Sequence, residues 1–219
     1  MDDLKRNFIS FLLSRGALKF GSFTTKSGRI SPYFINTGSF FIGKDIAELG
    51  RYYARCIIQH NFTPDCIFGP SYKGIPLAVS ASCAYCEITG NSVGYAFNRK
   101  EVKDHGEGNL LVGMKMTPEN SVVIVDDVIT AGLSVSDSIA ILSAAGNPAV
   151  KAVIISVDRQ ETRIDRTSAV VEIQQKYSIP VISLVTIDEV LKEVTDRDLL
   201  TPAQMDAVKV YRDTYGLKN

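Results

Sequence analysis

The chain has 219 residues, of which 45% are hydrophobic and 22% charged, enough apolar material to bury the core of one α/β domain with a small addition. Lys and Arg number 24 and Asp and Glu 24, and this balance argues against nucleic acid or an anionic membrane as the main partner, so any anion site must be a local cluster of charge. No apolar run is long enough to span a bilayer, and the opening Met1-Asp2-Asp3-Leu4-Lys5-Arg6 lacks the shape of a signal peptide, so a cytoplasmic location is expected.

In chain order, Leu4 to Leu13 has the apolar spacing of an amphipathic helix, and Ala17 to Asn36 reads as strand, Lys-Ser-Gly-Arg turn, strand. Helices are expected over Asp45 to His60, Ile75 to Ile88, Ser134 to Ala145 and Thr167 to Tyr177. Strands are expected at Cys66 to Phe68, Val93 to Phe97, Val122 to Val125, Val153 to Val157 and Val181 to Val185. Thr201 to Tyr215 reads as a closing helix, with Thr201 as N-cap and Pro202 in its first turn. Alternating strands and helices predict a doubly wound, mainly parallel sheet. The first hairpin would form a small N-terminal hood of about 40 residues outside that sheet, within a single domain of 219 residues.

The four cysteines, Cys56, Cys66, Cys83 and Cys86, are too few for a disulfide scaffold. Cys83 and Cys86 form a C-x-x-C in an apolar helical stretch with no second ligand pair nearby, and they read as small buried residues on a core face. His60 ends a helix without chemical context and reads as structural or surface.

The strongest motif is Val122-Val123-Ile124-Val125-Asp126-Asp127-Val128-Ile129-Thr130-Ala131-Gly132. An apolar strand ends in two acidic residues, and a short loop leads into a helix. Ligands of open parallel sheets bind beyond the carboxyl ends of the strands, and the helix N-terminus there favours an anion such as a phosphate monoester. Two carboxylates would repel that phosphate, so they must serve another part of the ligand, and a ribose diol offers the matching donors. The motif is neither a Walker loop nor a dinucleotide fingerprint, because it lacks both G-K-[ST] and G-x-G-x-x-G.

Phe68-Gly69-Pro70-Ser71-Tyr72-Lys73-Gly74 is a second strand end turning through glycines into a helix, with Lys73 at its mouth. Asn98 to Gly113 breaks the strand–helix rhythm; its Arg99, Lys100, Lys103 and His105 crowd a glycine-flanked loop, as a cationic lid would require. Asp158-Arg159-Gln160-Glu161 follows a third strand, and an Arg there can clamp a carboxylate.

These motifs resemble the type I phosphoribosyltransferases, whose signature is a hydrophobic strand, two acidic residues and a T-G- or A-G-containing loop. The lid sequence R-K-x-x-K-D-H-G-E-G is similar to that of the orotate member of the superfamily. The resemblance runs from Phe20-Gly21 to the last strand and implies a Mg²⁺-dependent transfer of ribose 5-phosphate from phosphoribosyl pyrophosphate to orotate. It implies that Asp126 and Asp127 meet the ribose hydroxyls, that Thr130, Ala131, Gly132, Leu133 and Ser134 wrap the 5-phosphate, and that Val128 and Ile129 also bind phosphoribosyl pyrophosphate. Lys26, Tyr72 and Arg99 would bind phosphoribosyl pyrophosphate, Lys73, Lys100, Lys103 and His105 would meet its diphosphate, and Lys73, Lys103, His105, Asp126 and Asp127 would carry the catalysis. Phe34, Ile35, Thr130 and Arg159 would meet orotate. Mg²⁺ would have no direct protein ligand and would reach Asp126 or Asp127 through water. A homodimer would share each lid, about residues 98–113, in trans. Leu133 stands where the family usually has Thr or Ser, and Ile35 where it usually has an aromatic residue. A phosphoribosyltransferase for another base, and a non-catalytic phosphoribosyl pyrophosphate-binding regulator, remain alternatives.

Overall fold

The computed structural model describes residues 1–25, 28–100, 110–129, 132–162 and 167–217. Six strands form the main sheet: β3 (Cys66–Gly69), β4 (Gly94–Asn98), β5 (Leu111–Gly113), β6 (Ser121–Asp126), β7 (Ala149–Asp158) and β8 (Val181–Thr186). Their order across the sheet is β5-β4-β3-β6-β7-β8, parallel throughout except for β5, which runs antiparallel to β4 at one edge. The expected doubly wound, mainly parallel sheet is therefore present.

Seven helices accompany it among the described residues: α1 (Asp3–Ser14), α2 (Gly43–Gln59), α3 (Gly74–Thr89), α4 (Leu133–Ala144), α5 (Ala169–Tyr177), α6 (Ile187–Asp196) and α7 (Pro202–Tyr215). The two faces of the sheet bury separate cores, as the period of a strand requires. Val123 and Val125 of β6 pack with α1, α2, α3, α6 and α7 residues on one face, while Val122 and Ile124 pack with Val135 and Leu142 of α4 and Ile173 of α5 on the other. In α2 the buried residues Leu49, Tyr52, Tyr53, Cys56 and Ile57 recur at helical spacing and face the first core. Val122 to Val125 are all fully buried, which explains a continuous apolar run where an exposed sheet would alternate.

The N-terminal hairpin pairs β1 (Leu18–Thr24) with β2 (Ile30–Ile35) in an antiparallel sheet of its own. A 3-10 turn at Thr37–Ser39 then carries the chain into α2. At the other end Thr201 caps α7 in a capping box with Gln204, and Pro202 occupies its first turn.

Two expectations are corrected. Cys83 is exposed and Cys86 half-buried, because α3 turns Leu77, Ala78, Ala81, Ser82, Ala84 and Tyr85 inward and leaves the C-x-x-C on its outer side. The 98–113 segment is likewise not free of regular structure, since Asn98 pairs with Leu111 and Phe97 with Val112, while residues 101–109 of the expected lid lie outside the described residues.

Candidate active site

Strand order reverses between β3 and β6: the chain leaves β3 toward β4 on one side and β6 toward β7 on the other. Such a switch point opens a crevice at the carboxyl edge of the sheet. Helices α3 and α4 both begin there, and neither has a side-chain hydrogen bond capping its N-terminus. Two helix dipoles therefore point at the crevice, although the first two N–H groups of α3, of Gly74 and Ile75, already donate to the Pro70 and Tyr72 carbonyls. Glycines permit the tight approach. A Cβ on Gly69 would stand 1.9 Å from the Gly74 carbonyl oxygen, and Gly132, the residue before α4, has a φ of 78° that favours glycine.

The acidic pair ends β6 at this crevice. Asp126 and Asp127 are both buried, and each oxygen of the two carboxylates accepts a hydrogen bond. Asp126 Oδ1 accepts from the Asp127 N–H at 2.8 Å and Oδ2 from the Ser134 hydroxyl at 2.7 Å. Asp127 Oδ1 accepts from the Val128 N–H at 2.8 Å, while Oδ2 accepts from Lys73 Nζ at 2.7 Å and the Thr37 hydroxyl at 3.0 Å. One carboxylate thus joins three segments: the end of β6, the β3–α3 loop and the 3-10 turn below the hood. Burial pushes the Asp126 carboxyl up to about 6; the Ser134 hydroxyl works against that rise and the neighbouring Asp127 charge adds to it.

The backbone of the pair is fixed from behind. Tyr53 of α2 donates its hydroxyl to the Asp126 carbonyl at 2.6 Å, and the Ser156 hydroxyl and N–H of β7 both donate to the Asp127 carbonyl. Tyr53 is buried, and this together with the two nearby carboxylates holds its phenol well above the usual range, so it stays a donor. Tyr53, Thr37 and Ser156 were not singled out in the sequence. Ser156 alone left a trace, as a polar residue inside an otherwise apolar run.

The diphosphate candidates gather at the mouth. Lys100 Nζ lies 4.6 Å from the centre of the exposed Tyr72 ring, and Asn98 accepts the Ser71 N–H at 2.9 Å. Arg99 follows in the same strand extension, its N–H donating to the Leu110 carbonyl at 2.7 Å. Lys73 does not stand free, since it is paired with Asp127.

The phosphate-loop candidates divide. Leu133 is exposed, so its apolar side chain displaces no core group. Val128 packs on the first core and Ile129 on the second, leaving only their backbones for a ligand, and the Val128 N–H is already donated to Asp127. The Ser134 hydroxyl is likewise committed to Asp126. Lys26, Lys103, His105, Thr130 and Ala131 lie outside the described residues.

The base candidates lie where the hood meets the end of β7. Phe34 is exposed and stacks on Phe23 with ring centres 5.3 Å apart, and Ile35 is half-buried against the core. Arg159 stacks over Tyr33 at 4.8 Å, and its guanidinium meets Glu161 Oε1 at 2.7 Å from Nη2 and 3.1 Å from Nε. Burial works against the charge on Arg159, but Glu161, Tyr33 and Tyr211 together raise the guanidinium pKa.

Mg²⁺ finds no ready cage here. No group of three His, Cys, Asp or Glu residues able to hold a metal occurs among the described residues, and the acidic pair's oxygens already accept hydrogen bonds. This donor set fits an ion that arrives on ligand oxygens and reaches the carboxylates through water. His60, as expected, serves locally: its Nδ1 lies 2.9 Å from the Cys56 carbonyl and its ring stacks on Phe62.

Comparison with known proteins gives consistent findings. Residues 37–185 match the phosphoribosyl transferase domain family. The chain is 46% identical to the orotate phosphoribosyltransferase of Pectobacterium carotovorum over 99% of its own length and 100% of that protein, and 44% identical to that of Proteus mirabilis over the same shares. The crystal structure of the orotate phosphoribosyltransferase of Francisella tularensis superposes with a TM-score of 0.85 at 39% identity, covering 96% of this chain and 100% of that one.

Proposed function

The chain belongs to the orotate phosphoribosyltransferase family, and on that premise we propose that it transfers ribose 5-phosphate from phosphoribosyl pyrophosphate to orotate. The products are orotidine 5′-phosphate and pyrophosphate, a step of pyrimidine synthesis. The observation that carries this reading is the Asp127 carboxylate, tied to both Lys73 and Thr37 between two uncapped helix N-termini.

In this reading the α4 N-terminus and the loop of residues 130–134 hold the 5-phosphate, while Asp126 and Asp127 accept from the ribose hydroxyls. Lys26, Tyr72, Lys73, Arg99, Lys100, Lys103 and His105 surround the diphosphate, and Phe34, Ile35, Thr130 and Arg159 hold orotate. The bond from the anomeric carbon to pyrophosphate breaks as positive charge builds on the ribose ring, so no protein nucleophile is needed. The protein's contribution is positioning, and cations placed where the leaving group gains charge. Bound Mg²⁺ would add neutralisation of that leaving group, reaching Asp126 or Asp127 through water.

The working unit is a homodimer of single-domain chains in the cytoplasm, each lid completing the neighbouring site. The hood, about residues 1–40, would cover the base, and the middle of the 98–113 segment would cover the diphosphate. Turnover with phosphoribosyl pyrophosphate and orotate, uracil, hypoxanthine or adenine tests the reaction. Orotate alone should be consumed at a useful rate. A preference for another base would overturn the substrate assignment, and tight binding of phosphoribosyl pyrophosphate without turnover would favour a regulator.

A further inference from the structure

Glu161 lies two residues beyond Arg159, and its carboxylate is the hub of a small, partly buried network. Oε1 accepts from Arg159 Nη2 at 2.7 Å, from Arg159 Nε at 3.1 Å and from the Tyr33 hydroxyl at 2.8 Å. Nη2 also donates to the Ser31 hydroxyl at 3.1 Å, which in turn donates to the Tyr33 carbonyl. A guanidinium has five N–H donors in a rigid plane: one on Nε and two on each terminal nitrogen. Three of the five are therefore accounted for along the Nε–Nη2 edge, and the Tyr33 ring covers one face. None of the hydrogen bonds formed among the described residues uses the two N–H groups of Nη1, although the Tyr211 hydroxyl lies close enough to Arg159 to interact with its charge.

The backbone around this pair is held as firmly as its side chains. Arg212 of α7 donates from Nη1 to the carbonyls of Arg159 and Gln160 and from Nη2 to Asp188. Glu161 forms an isolated antiparallel bridge with Gly216. Arg29 of the hood donates to the Thr162 carbonyl at 2.8 Å. With backbone, ring face and one edge all fixed, the guanidinium has little freedom except at its Nη1 end.

We infer that Glu161 is the positioning residue for Arg159, fixing its Nε–Nη2 edge so that the Nη1 end alone addresses the carboxylate of the base. This rests on the reading of Arg159 as the orotate partner. A bidentate grip on the substrate carboxylate through the Nε–Nη2 edge is excluded while Glu161 occupies it. Selectivity for a base bearing a carboxylate then depends on a residue that need not touch the base.

The test compares kcat and KM for both substrates, and the ratio of kcat/KM for orotate to that for uracil, in wild type, Glu161→Ala, Glu161→Gln, Arg159→Ala and the Arg159→Ala/Glu161→Ala pair. Glu161→Ala should raise KM for orotate roughly tenfold or more through misplacement of the guanidinium, leaving KM for phosphoribosyl pyrophosphate nearly unmoved. Glu161→Gln keeps an acceptor oxygen for Nε, Nη2 and Tyr33 and should recover most of the loss. Because Glu161 acts through Arg159, the double variant should match Arg159→Ala alone. An unchanged or lower KM for orotate in Glu161→Ala, failure of Gln to rescue, or additive losses in the pair would each overturn the proposal. If Glu161→Ala does not fold, Glu161→Met fills the volume without a charged or oxygen acceptor and carries the same comparison. Wild-type protein that ignores orotate, or Arg159→Ala that affects both substrates alike, would instead overturn the underlying reading of function.

Discussion

Lys73 and Asp127 stand 54 positions apart in the chain and 2.7 Å apart in space, one at the mouth of the β3–α3 loop and the other at the end of β6. The lysine side chain is 59% exposed and the carboxylate 10%, so the pair sits at the lip of the crevice with only its acidic member inside. A pair of this exposure contributes about 0–1 kcal/mol to stability. Lys73→Gln should therefore shift Tm by no more than about 4 °C. It should also raise KM for phosphoribosyl pyrophosphate by roughly tenfold or more, through loss of a cation facing the diphosphate. Thermal melts and initial rates on one preparation check both; a large fall in Tm with normal kinetics would make Lys73 a structural residue only.

The acidic pair is more deeply engaged. Asp126→Asn combined with Asp127→Asn should abolish turnover while the fold survives, because each amide keeps an oxygen that can accept part of the present network. The hydroxyls of Ser134 and Thr37 and the ammonium of Lys73 would lose charged acceptors, costing on the order of 1–3 kcal/mol in all. Circular dichroism should show native secondary structure at room temperature. Near-normal activity in the double variant would remove the ribose role from this pair.

Asp126 gives a pH dependence of definite sign. Its carboxyl is raised to about 6, so between the ordinary carboxylate range and pH 6 the folded chain holds a proton that the unfolded chain has released. Its contribution is thus most favourable at low pH and is lost as pH rises through about 6. In the single variant Asp126→Asn that slope should vanish, so Tm measured from pH 4.5 to pH 7 should fall less than in wild type, or rise more. Affinity for phosphoribosyl pyrophosphate should move the other way in wild type, weakening below about pH 6 as Asp126 gains its proton. Identical pH profiles for wild type and variant would show that this carboxyl does not titrate there.

Most of the architecture was legible because β6, β7 and β8 are β-branched runs, and β3 and β4 short apolar and aromatic runs, with turn residues nearby. Helix α6 was missed: it starts directly after β8 with no glycine or proline between, and its signal, the Thr186–Glu189 capping box, follows the expected strand without a break. Residues at the site were found where they belong to a local motif, as Asp126, Asp127, Lys73 and Arg159 do. Thr37, Tyr53 and Ser156 reach the pair from other elements and have no local signature, so only the folded chain brings them there. The cysteines show the opposite error. An apolar helix such as α3 has no polar side to orient it, so periodicity could not say which flank faces out.

Arg159→Ala should separate the two substrates. Removing one partner of a charge-assisted pair from a shielded site costs on the order of 2–5 kcal/mol, equivalent to roughly 30-fold or more in affinity. That loss should fall on KM for orotate, with KM for phosphoribosyl pyrophosphate changed by about twofold at most, because Arg159 packs on the hood strand β2 while Lys73 and Asp127 lie in the switch-point crevice. The substitution also leaves the Glu161 carboxylate without its cation, so Tm must be measured beside the kinetics. Equal effects on the two substrates would show that Arg159 supports the site as a whole and does not hold the base.

Sharing of the lid between subunits can be decided by mixing. Lys103 belongs to residues 101–109, outside the described residues, whereas Asp126 and Asp127 are fixed to the sheet of their own chain. Prepare Lys103→Ala in one sample and the Asp126→Asn/Asp127→Asn pair in another, each expected to be nearly inactive, and let subunits exchange. In a two-fold dimer with lids acting in trans, every hybrid pairs a defective lid with the defective acidic pair at one site and leaves the other site whole. Random reassortment makes about half the dimers hybrid, each with one of two sites active, so activity should return to about a quarter of wild type. With lids acting on their own chain, every site keeps one lesion and nothing returns. Exchange confirmed by native mass spectrometry of differently tagged chains, without recovery of activity, would eliminate the shared site and leave the reaction assignment standing.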